Sequence, residues 1–366
     1  MSSVTRSLLA ALVAVSISGV VAQDNKFPKV PLNDKRFEYD QLPFRVDTDV
    51  GLERGEQYGY NICNSTTVGQ SSKCQTAIIN SIDDFCLWGP PDPNSEVGST
   101  EGEAVAYCTK PDYGTRLIPR GALQGVQFMK TPDYIQVVGF IDQTQINMKG
   151  DDFGGEMDPH GADLRGNPMG GVLYSKAWAG DGKFKQVIEW HNFMGNNFFC
   201  LKACDPAGAN QKKFCEHVFD RIGCQFNAPN AAKNGTFESC LGDNQDFPGV
   251  YTENGQVVTY TQPPESLGAI TSMPYTARVP ASSSCSQFQS ESLFSALASV
   301  TPSGSGPAAT AKPTGSSGGS SQGSGSSGTT SGTAGGAQQT GGNSARTLSI
   351  PLVSIVGVVL SAAFFS

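Results

Sequence analysis

The densest run of side chains able to move protons or hold a cation is Asp151-Asp152-Phe153-Gly154-Gly155-Glu156-Met157-Asp158-Pro159-His160-Gly161-Ala162-Asp163, followed by Arg165, Asn167 and Gly170-Gly171. Carboxylates beside a histidine suit general acid–base work or metal ligation. Asp158, His160 and Asp163 are the candidate site residues, with His191 as a more distant partner. The competing reading is a Gly/Pro-rich loop whose Asp and Asn side chains bond their own backbone. That structural reading is the stronger on sequence alone. The chain therefore reads as a structural or interaction protein rather than an enzyme, and no cofactor is expected.

Other chemistries lack their marks. Three histidines in total leave few routes to a nucleophilic triad. The Gly-x-Ser-x-Gly match, Gly315 to Gly319, sits in low-complexity sequence with no strand before it. There is no phosphate-binding Gly-Lys-Ser/Thr loop and no His-Glu-x-x-His pair. Paired glycosidase carboxylates are set by space, not spacing, so the sequence is silent on them. Trp88, Trp178 and Trp190 could stack on sugar rings, although core packing is the commoner fate of tryptophan. The net charge of −8 excludes a basic nucleic-acid footprint.

All 10 cysteines fall between Cys63 and Cys285, in two even-numbered blocks. Cys63, Cys74, Cys86 and Cys108 form the first; Cys200, Cys204, Cys215, Cys224, Cys240 and Cys285 form the second. In an exported chain this predicts two disulfides in the first block and three in the second, with connectivity open. Cys200, Cys204, Cys215 and His217 also have the chemistry of zinc ligands, but free thiolates do not persist on the secretory route. Asn64-Ser65-Thr66 and Asn234-Gly235-Thr236 are N-glycosylation acceptors.

The elements that would carry these residues read as mainly β with a few short helices, an α+β head braced by disulfides. Low charge content (16%) with 43 Gly and 22 Pro points to many turns. Gln23 to Tyr60 reads as an irregular arm lying across the domain. Ile78, Ile82 and Phe85 recur at helical spacing and predict a short helix within 76–88. Tyr134 to Ile141 predicts a strand. Val172 to Ser175 and Phe184 to Phe193 predict two more, joined through a turn containing Asp181-Gly182. Phe214, Val218 and Ile222 predict an amphipathic helix stopped by Gly223, and Ser290 to Val300 a last helix.

The ends read as addresses. Arg6 followed by the apolar run Leu8 to Val21 and the small residues before Gln23 predict a signal peptide over 1–22. The head then spans 23–300. Residues 301–345 are a Gly/Ser/Thr-rich stalk with no aromatic residue, unable to offset chain ordering by burial. Residues 346–366, apolar from Ile350 to Phe365 apart from Pro351, Ser354 and Ser361, follow the small residues Gly341-Gly342-Asn343-Ser344-Ala345, the pattern of a glycosylphosphatidylinositol (GPI) attachment signal. Asn343 is the first choice of attachment site, with Gly336 an alternative that lengthens the spacer. The expected location is extracellular, on the outer face of the cell membrane or in the wall.

Several motifs are similar to those of fungal cell-surface mannoproteins, the basidiomycete macrophage-activating glycoproteins and the cryptococcal immunoreactive mannoprotein. They are Asp158 to Asp163 continuing through Gly166-Asn167-Pro168-Met169-Gly170-Gly171, Trp190-His191-Asn192-Phe193, Phe199 to Cys204, Cys215 to Cys224 and Phe237-Glu238-Ser239-Cys240. The resemblance covers most of the head. It implies a GPI-linked or wall-bound mannoprotein whose partners are cell-wall glycans or receptors on other cells, met through its sugars. It carries no catalytic residues to transfer. This tail is richer in Gly than a heavily mannosylated stalk would be.

Overall fold

The computed structural model describes residues 26–301. The leader at 1–22, the stalk beyond 301, the segment 346–366 and Asn343 lie outside the described residues. The described chain is mainly β. β1 (Thr76–Ser81) and β2 (Asp84–Gly89) form a hairpin, followed by α1 (Val97–Thr100), β3 (Val105–Cys108) and β4 (Arg116–Leu117). A longer hairpin, β5 (Leu123–Lys130) and β6 (Tyr134–Ile141), precedes β7 (Gly155–Met157), β8 (Val172–Ser175), β9 (Lys185–Val187), β10 (Trp190–Gly195) and β11 (Phe198–Cys204). Then come α2 (Gln211–Phe214), α3 (Gly223–Asn227), β12 (Phe237–Gly242), the hairpin β13 (Val250–Glu253) and β14 (Gln256–Thr259), β15 (Ser282–Gln287) and α4 (Ser290–Leu293).

Two sheets enclose the main core. The first runs β4-β3-β2-β1-β8-β9 and the second β15-β12-β5-β6-β11-β10-β7. Pairing is antiparallel except at β1/β8, β3/β4 and β5/β12. Ile78, Leu87, Trp88 and Tyr107 of the first sheet share one apolar cluster with Ile135, Val137, Trp190, Phe199 and Leu201 of the second. Trp88 lies flat on Trp190, with ring centroids 4.3 Å apart and an interplanar angle of 22°. The Trp88 backbone N–H donates to Asn192 Oδ1 at 2.9 Å, so a buried hydrogen bond crosses the same interface.

Strand periodicity gives the second sheet two buried faces. On β6 and β11, Ile135, Val137, Phe199, Leu201 and Ala203 face the first sheet. Their neighbours Tyr134, Val138, Cys200 and Cys204 face outward, into two smaller apolar clusters under residues 214–228. The disulfides Cys200–Cys224 and Cys204–Cys215 fasten that cover to β11. Cys63–Cys74, Cys86–Cys108 and Cys240–Cys285 complete the set, and no cysteine is free. The bridges keep within the two blocks, two and three. The zinc reading of Cys200, Cys204 and Cys215 is overturned, because all three sulfurs are bonded to sulfur.

Three element assignments differ from the sequence reading. Residues 76–89 are the β1–β2 hairpin, not a helix. β1 lies between β2 and β8 and is buried on both faces over its first four residues, so no alternation marks it, and Ile78, Ile82 and Phe85 match helical spacing by coincidence. Phe184 to Phe193 is broken at Ile188-Glu189, where the chain leaves β9 in the first sheet and enters β10 in the second. No single helix carries Phe214, Val218 and Ile222; Val218 is 54% exposed, and Gly223 opens α3 instead of ending a helix. Cys200 and Cys204 share one face of a strand, so Cys215 and Cys224 must both turn toward it. A continuous helix would put those two about two and a half turns apart, on opposite sides.

The arm, the strand Tyr134–Ile141 and the turn at Asp181-Gly182 are as read. The arm packs on β8 and β9: Tyr174 donates its hydroxyl to Phe37 O at 2.9 Å, and the Phe37 N–H donates to Gln186 Oε1 at 2.7 Å. Of the last predicted helix, only α4 and a 3-10 turn at Ser295–Leu297 form.

Trp88→Ala removes the largest side chain at the sheet interface and should destabilise the head by about 3–5 kcal/mol. Trp178→Ala, at a half-buried loop position, should cost markedly less. Guanidinium denaturation of the two variants checks this, and equal losses would show that the stacked pair is not the main inter-sheet contact.

Candidate functional site

β7 is the edge of the second sheet, and the loop that leaves it folds back on itself. Asp158 and Asn167 exchange backbone hydrogen bonds, each 2.9 Å, closing the segment between them. Asp158 Oδ1 accepts from the His160 N–H at 2.7 Å and the Gly161 N–H at 2.8 Å. Gly161, with φ +63, supplies the left-handed turn that lets the chain return. This bonding aims the His160 ring across the sheet edge. His160 Nε2 lies 2.9 Å from Glu189 Oε2, and its ring stacks on His217 with centroids 3.5 Å apart.

Asp163, by contrast, points away from this place. Its carboxylate takes a forked bond from Arg54, Nε at 2.8 Å and Nη2 at 2.5 Å, and accepts from the Arg165 N–H at 3.1 Å. Arg54 also donates to Asn167 Oδ1 at 2.6 Å and to Gly166 O at 3.0 Å. Asp163 is therefore a clamp that holds the loop's return, and its grouping with Asp158 and His160 is corrected. Planar bidentate pairing is what an arginine does best for such a task.

Asp158, His160 and His217 line a cleft of about 200 Å³, together with Glu101, Glu156, Asp220 and Glu265. No Lys or Arg is among its lining residues. Burial pushes the Glu101 carboxyl up to about 8, with the charge of Asp158 adding to the rise and Arg54 opposing it. Burial likewise raises Glu156 far above the carboxylate range, and raises Asp158 against the pull of its two N–H donors. His217 is lowered by burial and then by the neighbouring His160. His191 is held neutral by burial and by the charge of Lys202. Its Nδ1 is 3.9 Å from Glu156 Oε1, and the Glu216 backbone partly offsets the lowering. The three histidines thus gather with a set of carboxyls, of which burial raises Glu101, Glu156 and Asp158. Such a place can donate and accept protons near neutral pH, and its nitrogen and oxygen donors can also hold a cation.

Sequence reasoning found Asp158, His160 and, as a distant partner, His191. It missed Glu189 and Glu101. Glu189 had a signal: it is the acid inside the apolar run Val187 to Met194, and an acid in such a run is buried only with a partner. Glu101 had none, because it reaches the cleft from the turn after α1. Trp88 and Trp190 are core, not a sugar platform. Asn64 and Asn234 are both exposed.

No family model matches the chain, and no solved structure matches it. Appressorium protein ROW1 of Mycosarcoma maydis is 46% identical over 225 residues, covering 59% of this chain and 52% of ROW1. Appressorium protein ROW2 of the same organism is 42% identical over 218 residues, covering 58% of this chain and 73% of ROW2. The chain belongs to the family of these appressorium proteins. It spans about half the length of ROW1. The family is fungal, in keeping with the fungal resemblance read from the motifs. Among the described residues, no helix is long and apolar enough to cross a membrane.

Glu101 binds a proton more tightly in the folded head than in the unfolded chain. Its contribution is present in full below the ordinary carboxyl range and is lost as pH rises through about 8. Glu101→Gln should therefore raise the melting temperature relative to the parent at pH 9 by several degrees, and change it little at pH 5. Thermal melts of both proteins across that range check the sign, and a difference that stays flat with pH would refute it.

Proposed function

We propose that this protein is a GPI-anchored glycoprotein of the fungal cell surface, with an interaction role in the structure for which its relatives are named. The observation that carries this reading is the state of the cysteines: all ten are paired, as expected of a chain folded in an oxidising compartment. The apolar segment 346–366 after the small residues around Asn343 supplies the anchor signal, and Asn64 and Asn234 are positioned for N-glycans. The head then stands off the membrane on the stalk and meets wall glycans or the surfaces of other cells.

A second reading gives the head a working site of its own, binding or acting on wall glycan at the cleft. It is favoured by the convergence of Glu101, Glu156, Asp158, His160 and His217 around one opening. Perturbed carboxyls and imidazoles meeting in a cleft are a pattern that working sites display.

Membranes from cells expressing the full chain, treated with phosphatidylinositol-specific phospholipase C, should release it into the soluble fraction. Its gel mobility should shift with an N-glycosidase, and not in the Asn64→Gln/Asn234→Gln double variant. Retention on the membrane, or titratable thiols in the released protein, would overturn the proposal.

A further inference from the structure

We infer that His160, Glu189 and His217 together bind a divalent transition-metal ion of the zinc type, an inference that rests on the cleft being a working site of the head. One donor atom of each residue lies within 4.8 Å of the other two. Metal–ligand bonds of about 2.0–2.2 Å bring tetrahedral donors to roughly 3.4 Å from each other, so the His160–Glu189 pair, now 2.9 Å apart, opens slightly while the rest of the set contracts. Most of that contraction falls to His217. It is half-buried and sits in the irregular stretch between Cys215 and α3. The two rings are now stacked at 11°, and the His217 ring must turn out of that stack so that a nitrogen of each ring faces the ion. On binding, the ion takes the place of the direct His160 Nε2–Glu189 Oε2 hydrogen bond.

Two independent features point to a cation here. Glu189 is 1% exposed, yet its Oε1 accepts no hydrogen bond. The nearest charge to it is Lys212 Nζ at 3.9 Å, on a side chain 74% exposed. A buried carboxylate with an unbonded oxygen is unfavourable by several kcal/mol unless a cation meets it. Beside it, the cleft is lined by carboxyl and imidazole side chains with no Lys or Arg among them, so no fixed ammonium or guanidinium there takes the place of an ion. Two imidazoles and one carboxylate favour zinc, cobalt, nickel or copper over calcium or magnesium, which take oxygen donors alone. Thiolate competition is absent, since every cysteine is in a disulfide. Three protein ligands leave a fourth position for water or a ligand from the cleft, the arrangement of catalytic rather than structural zinc sites.

The test loads the full-length protein, released from membranes, with Zn²⁺ or Co²⁺ and dialyses it against metal-free buffer. The expected result is one ion per chain by elemental analysis, and a visible absorption band with Co²⁺ that reports nitrogen and oxygen ligands. His217→Ala and Glu189→Gln should each weaken binding by about 100-fold, while Glu253→Gln on the distant β13–β14 hairpin leaves it unchanged. Thiol titration and circular dichroism verify that the variants are folded, and Glu189→Gln, which preserves shape, decides the matter if His217→Ala is not. Binding below one-tenth of an ion per chain, or binding unchanged in both variants, overturns the inference. Retention on wall glycan, measured in parallel, separates the two ideas. One ion bound with no glycan retained supports the metal site and removes the glycan reading. Glycan retained equally with and without added metal, and no ion bound, does the reverse.

Discussion

The flat contact of Trp88 on Trp190, with Asn192 bonded to the Trp88 N–H, is the joint on which the rest of the head depends. Two large aromatic faces bury more apolar area than any aliphatic pair and hold each other at a fixed spacing. Asn192 adds direction: its Nδ2 donates to Cys200 O at 3.1 Å and to Phe193 O at 3.3 Å, so the side chain that reaches the first sheet is itself locked to β10 and β11. Because strand residues alternate, fixing Trp190 and Asn192 inward fixes His191 and Phe193 outward. Glu189, just before Trp190, is carried to the strand's start beside His160. The most buried half of the cleft chemistry is therefore a by-product of how the two sheets are joined.

The outward face of the second sheet explains the unusual number of buried charges. Lys202 on β11 points into the cover, where its ammonium donates to Asn227 O and Gln245 Oε1 and lies 4.7 Å above the Tyr134 ring. Burial lowers its affinity for its proton, and what charge it keeps favours the neutral form of His191 nearby. On the other side of His191 stand Glu156 and Asp158, which burial pushes toward their neutral forms. Polar groups in such a layer are unfavourable one at a time and tolerable only as a set. The sheet tolerates them because its opposite face already supplies the apolar core. Replacing one member of this layer by an aliphatic side chain would leave its partners buried and unpaired.

How much of this was legible in the sequence depends on whether a signal is local. The two cysteine blocks predicted the pairing within blocks, because bridges of short and middle separation keep within one stretch of chain. Tyr134 to Ile141 and the Asp181-Gly182 turn were legible for the same reason. Residues 76–89 were not, since a strand buried on both faces loses its alternation and can match a helical period by chance. Asp163 was placed in the site because three candidates within six residues looked like one cluster. Arg54, more than a hundred residues earlier in the chain, decides otherwise. Glu101 came from a turn with no motif, and Glu189 carried only the weak mark of an acid in an apolar run. The site is a meeting of distant segments, and sequence spacing carries no information about such meetings.

The disulfides do two different jobs. Cys86 and Cys108 are cross-strand partners in the first sheet, where backbone pairing already holds β2 to β3. Cys200–Cys224 and Cys204–Cys215 are different, because the chain between Cys204 and Cys224 has only two short helical turns and a few apolar anchors. A cross-link stabilises by removing freedom from the unfolded chain, so it acts equally on a segment with no regular hydrogen bonding of its own. That segment carries His217 and Asp220 to the cleft. Covalent tethering at both ends, with irregular backbone between, fixes where His217 is, with its ring stacked on His160. A helix there could not have turned both cysteines to one strand, so the geometry that forbids the helix is also what brings His217 to the cleft.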